Sequence, residues 1–150
     1  RHDQAREGSM GKINGARVLI GGLLAGAAMF VLGFLFYGLW LSAEFDAALQ
    51  ALGRSPMPET AGMMVFILVM SLVSGIIAVW LYAAIRPRFG AGLKTAAVAG
   101  VAAWVIGGLI PNIWWSTLEL FPRAYMAKDT AAGLILWVLA TVIGAWAYKE

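Results

Sequence analysis

The chain has 150 residues, 61% of them hydrophobic and only 13% charged, with a net charge of +3. That balance excludes a water-soluble domain, and the absence of any basic stripe with interleaved aromatics excludes a nucleic-acid surface. The absence of cysteine excludes disulfides, thiolate metal sites and cysteine nucleophiles.

Residues 1–9 are polar, hold the single histidine and precede Met10-Gly11-Lys12, which reads as a natural start behind an appended or disordered leader. Residues 10–150 read as one transmembrane domain. The first span is predicted over about residues 17–41, uncharged inside and long enough to cross roughly 30 Å of hydrocarbon. It is also too long for the apolar core of a cleaved signal peptide. Gly22, Gly26 and Gly33 recur at spacings of four and seven, so one face of this helix admits a neighbouring backbone closely.

Residues 43–52 follow as a short helix in which Phe45, Leu49 and Leu52 share a face, and it is expected to lie along the membrane interface. Gly53 ends it, the prolines at 56 and 58 impose extended geometry, and Thr60, with Glu59, is placed to cap the next helix. The second span, about residues 61–85, carries Ser71, Ser74 and Gly75 near its centre. A basic turn from 86 to 94 leads into the third span, about 94–115, where Pro111 is expected to kink or loosen the last turns. The fourth span is predicted over about 131–148.

The first and third spans match when the chain is shifted by 74 positions: Gly22, Gly26, Gly33 and Trp40 fall on Ala96, Gly100, Gly107 and Trp114. The second and fourth match more loosely at a shift of 66, with Trp80 and Tyr82 falling on Trp146 and Tyr148. The predicted fold class is therefore all-α: a membrane four-helix bundle built from two parallel-repeat helical hairpins, with a short interfacial helix after the first span. Gly22, Gly26, Gly33, Ala96, Gly100 and Gly107 are the expected helix-packing positions.

Orientation follows from the cations. Lys12, Arg17, Arg86, Arg88, Lys94 and Lys149 fall on one side, whereas Arg54, Arg123 and Lys128 on the other are diluted by acidic residues. The positive-inside rule then puts both termini in the cytoplasm. Trp40, Trp114 and Trp115 read as anchors at the outer interface, and Trp80, Tyr82, Trp146 and Tyr148 at the inner one.

The run Phe30-Val31-Leu32-Gly33-Phe34-Leu35-Phe36-Tyr37-Gly38, with the later Ala51-Leu52-Gly53, resembles a family of small bacterial four-helix membrane proteins classified only as a domain of unknown function. Its signature is a Gly-aromatic-Tyr-Gly step at the outer end of the first helix and a short helix ending in Leu-Gly. Where that family often has proline soon after the Tyr-Gly step, this chain has Leu39-Trp40. The resemblance implies the four-helix fold and a bacterial inner (plasma) membrane. It implies no reaction and no ligand.

No ionisable residue falls near the middle of a predicted span, which argues against proton pumping, metal transport and intramembrane proteolysis. The polar residues gather at the outer end, where Asn112, Ser116, Glu44, Trp114 and Tyr37 are the candidate ligand-binding residues. No catalytic residue, metal or cofactor is assigned. The first functional reading is a non-enzymatic interaction or accessory subunit, in contact with membrane lipids and with its own copies or a larger membrane complex. The second is a carrier or binding protein for a hydrophobic or lipid-like molecule, which requires a closed cavity onto which Asn112, Ser71 or Ser74 converge, where a scaffold would be packed solid. The third, an enzyme on a lipid substrate, would draw on Glu44, Asp46 or Glu119.

Overall fold

The computed structural model describes residues 13–56, 58 and 60–148. The expectations for the leader, Lys12, Glu59 and Lys149 lie outside them. The described residues form five helices and no strand: α1 (Gly15–Trp40), α2 (Ser42–Ala51), α3 (Ala61–Phe89), α4 (Leu93–Thr117) and α5 (Arg123–Ala147). All but α2 are apolar and long enough to cross a membrane.

Local chemistry sets the ends of these helices. The Asn14 side chain accepts from the Arg17 N–H at 3.1 Å to open α1, and the Thr60 hydroxyl accepts from the Met63 N–H at 3.2 Å to open α3. Gly53 follows α2 at φ 72° and Gly90 follows α3 at φ 82°, backbone geometry that a side chain disfavours.

Two turns depart from α-helical winding. Residues Phe34–Trp40 of α1 and Val105–Leu109 of α4 are π-helical, so Leu41 N–H donates five residues back, to the Phe36 carbonyl at 2.8 Å. The widened turn in α4 lies directly ahead of Pro111, which has no N–H to offer the preceding turn. Helix α4 then continues to Thr117, so the irregularity expected after Pro111 sits before it.

Two predicted boundaries move. Helix α3 runs through Pro87 to Phe89, four residues beyond the predicted end. Helix α5 starts at Arg123 rather than near residue 131, because nothing after Pro122 breaks the helix and residues 123–130 continue the buried stripe through Tyr125 and Met126.

In the bundle α1 packs on α3 and α5, α4 packs on α5 and α3, and α3 touches α5 across the centre. Small residues set the closest approaches. A Cβ added at Gly26 would stand 2.4 Å from Leu72 Cα, one at Gly22 2.5 Å from Ile76 Cα, and one at Gly75 2.2 Å from Gly26 N, so the α1 and α3 backbones are in direct contact. Gly21 and Gly144 bring α1 onto α5 in the same way, and Gly100 lies 2.9 Å, by the same measure, from Val138 Cα of α5. Ala96 is buried on that face. Gly107 meets the Trp137 ring, whereas Gly33 meets only Leu136 Cδ1, at an ordinary 3.8 Å.

At one end of the bundle Tyr82 and Tyr148 are turned inward, 3% exposed each, with their rings edge to face at 6.0 Å. Their hydroxyls accept from the Gly92 and Asn14 N–H groups, and the Arg86 guanidinium lies over the Tyr148 ring at 5.6 Å. These two tyrosines therefore close the core, unlike Trp80 and Trp146, which are exposed. At the opposite end the first half of α3 stands away from its neighbours, with residues from Met64 to Met70 exposed around the whole helix.

Candidate functional site

That second end holds a groove of about 860 Å³. Its walls come from α1, α2, α4 and α5, and α3 contributes no lining residue. Four-residue steps along α5 place Tyr125, Asp129, Gly133 and Trp137 on one line down the groove. Trp104, Gly108, Pro111, Asn112 and Trp115 face them from α4, and Phe45 and Leu49 come from α2. The glycines make the space: the Trp104 indole lies where side chains at Gly108 and Gly133 would go.

One carboxylate stands in this aromatic setting. Asp129, half-buried and about two turns into α5, accepts a hydrogen bond from the Asn112 amide of α4. The Tyr37 hydroxyl, on the π turn of α1, lies near the same carboxylate. Three helices thus converge on one acid, and both irregular turns serve that convergence, since Tyr37 lies within one and Asn112 three residues past the other.

The corner above the site is built from aromatics and one aliphatic residue. Phe45 stacks on Phe121 at 5.8 Å and lies 6.1 Å from Tyr125, while Phe121 and Tyr125 are 5.6 Å apart. Leu41, 0% exposed, packs among Tyr125, Met126 and Ala132 at the junction of α1 and α2. The Lys128 ammonium reaches Glu44 at 2.5 Å and ties α2 to α5 outside the groove.

Of the five candidate ligand-binding residues, the structure brings Tyr37 and Asn112 together in the groove. Ser116 donates its hydroxyl to the Asn112 carbonyl at 2.9 Å and borders a separate shallow depression, Glu44 is held by Lys128, and Trp114 is 69% exposed. Ser71 and Ser74 lie on α3, away from the groove. Neither Glu44, Asp46 nor Glu119 lines it, and Glu119 pairs with Arg123 at the exposed surface. Sequence reasoning misses Asp129, because a fourth span that starts near residue 131 leaves it in the preceding loop. The signal was present in the four-residue spacing of Tyr125, Asp129, Gly133 and Trp137 without an intervening helix breaker.

Among the described residues no three His, Cys, Asp or Glu side chains gather into a metal-binding set. Chemically, the groove presents one carboxylate engaged by the Asn112 amide, a wall of rings and, from the loop after α2, the Arg54 guanidinium. Comparison with protein-family models, with curated proteins and with solved structures finds no match to this chain.

Proposed function

We propose that this chain is a four-helix integral membrane protein whose groove binds an amphipathic small molecule. The polar end of the ligand meets Asp129, Asn112 and Tyr37, and its apolar part lies along Trp104, Trp137 and Phe45. The observation that carries this reading is the half-buried carboxylate that three helices approach within an aromatic groove. An ionisable group costs free energy in the hydrocarbon region and is retained where it faces protein or water. A solid-packed scaffold has no use for such a space. In dodecyl maltoside, the neutral fluorophore 1-aminoanthracene is expected to bind the full chain saturably, and Leu49→Trp, which places a ring in the groove, to weaken it about tenfold. Binding no greater than to empty micelles would sink this reading.

A second reading, an interaction subunit with its own copies as partners, is supported by the stretch from Met64 to Met70 of α3, which is apolar and exposed. The fold proposed with either reading is a pair of parallel repeats with α2 at the interface. It is supported by the π turns in the corresponding halves of α1 and α4 and by the matched close approaches at Gly26 and Gly100. The cation distribution supports an inner-membrane orientation with both termini cytoplasmic and the groove opening outward. One set of single-cysteine variants tests these together, in a chain with no cysteine of its own. Cysteines at Arg54 and Arg88 are expected to label from opposite sides of the membrane, and one at Phe66 to cross-link between copies only if the second reading holds. Labelling of both arginine positions from one side would overturn the orientation.

A further inference from the structure

We infer that the groove selects an amphiphile with an ammonium head, seated against Asp129 between the rings of Tyr37, Tyr125 and Trp104. The inference rests on the groove being a binding site and adds the chemistry of its occupant.

The charges around the groove carry the argument. Among the described residues, the charged ones that line it are Asp129 and Arg54. Among the described residues the ion pairs are Glu119 with Arg123 and Lys128 with Glu44, so the nearest lysine in sequence is engaged elsewhere. The two groups beside Asp129, the Asn112 amide that donates to it and the nearby Tyr37 hydroxyl, are neutral and supply no counter-charge. A carboxylate in a low-dielectric setting favours a cation beside it. The rings extend that preference, since their faces attract cations, and an ammonium carrying alkyl groups loses less hydration there than a bare metal ion does. An anionic head at the same place would meet the Asp129 carboxylate with like charge.

Arg54, on the exposed loop after α2, adds a second point of recognition at the groove's rim. A zwitterionic lipid headgroup could direct its ammonium to Asp129 and its phosphate toward Arg54, and a free alkylammonium could use Asp129 alone. The ammonium is common to both sources.

The experiment uses the full chain in dodecyl maltoside, an uncharged detergent without an ammonium group, and three decyl-chain probes: decyltrimethylammonium, decanol and decyl sulfate. Equilibrium dialysis against empty micelles is expected to give saturable decyltrimethylammonium binding about tenfold tighter than that of the other two, with the difference lost in Asp129→Asn. Displacement by dihexanoylphosphatidylethanolamine but not by dihexanoylphosphatidylglycerol supports the inference with a lipid headgroup as the source. Displacement by neither supports it with a free alkylammonium. Equal displacement by both would overturn it, as would an unchanged affinity in Asp129→Asn. If that variant does not fold, the probe series on the unmodified chain still decides. Equal binding of all three probes overturns the ammonium preference and leaves the groove standing, and saturable binding of none overturns both.

Discussion

Replacing Gly26 by leucine is expected to drive α1 and α3 apart and to lower the stability of the folded bundle by about 3 kcal/mol. The reason is the nature of the obstacle. A Cβ at Gly26 would meet Leu72 Cα at 2.4 Å and the Ser71 carbonyl oxygen at 2.8 Å, which are backbone atoms that no rotamer change can move aside. In lipid the loss is felt directly, because apolar side chains gain little by leaving hydrocarbon and helix association depends on close van der Waals contact. Gly75→Leu, facing Gly26 from α3, is expected to act in the same direction. Gly33→Ala is the internal comparison: its new methyl would meet only Leu136 Cδ1 at 3.8 Å, and a change within about 1 kcal/mol is expected. Unfolding by SDS titration in mixed micelles measures all three. Equal midpoints for Gly26→Leu and Gly33→Ala would show that close approach at Gly26 does not hold the helices together.

Leu41→Ala should both destabilise the protein and loosen its groove. Leu41 is fully buried at the point where α1 stops and α2 turns away, packed among Tyr125, Met126 and Ala132. Truncation leaves a cavity whose cost in packed interiors is about 2–4 kcal/mol. The same residue positions the first turn of α2, since its carbonyl accepts from the Phe45 N–H at 3.0 Å, and Phe45 stacks on Phe121 at the groove wall. Unfolding midpoint and 1-aminoanthracene affinity are therefore expected to fall together. A lowered midpoint with unchanged affinity would separate the corner from the groove; an unchanged midpoint would remove Leu41 as its anchor.

The candidate site was only half legible in the linear chain. Tyr37 and Asn112 stand out by their places near the ends of two spans, and both line the groove. Glu44, Ser116 and Trp114 have equally suggestive positions in sequence, yet a salt bridge holds the first, the second turns to its own helix, and the third faces outward. Those outcomes depend on rotation about the helix axis, which spacing within one helix leaves undefined relative to its neighbours. Asp129 was hidden for a simpler reason. A charged residue near a span boundary weakens the apolar signal that marks the boundary, so the acid placed itself outside the helix that contains it.

By itself the sequence determined that this chain forms four membrane-length helices, with a further short helix between the first and second of them. Runs of apolar residues of that length have to satisfy their backbone hydrogen bonds internally in lipid, and the helix does so residue by residue. It also determined the cap at Thr60 and the glycine turn at Gly53, both of which involve neighbours in the chain. Only the tertiary structure decided that Gly26 faces Gly75, that two π turns bring Tyr37 and Asn112 to Asp129, and that α3 is absent from the groove. Each of these joins residues far apart in sequence, and which helix faces meet is fixed by the packing of all four helices at once.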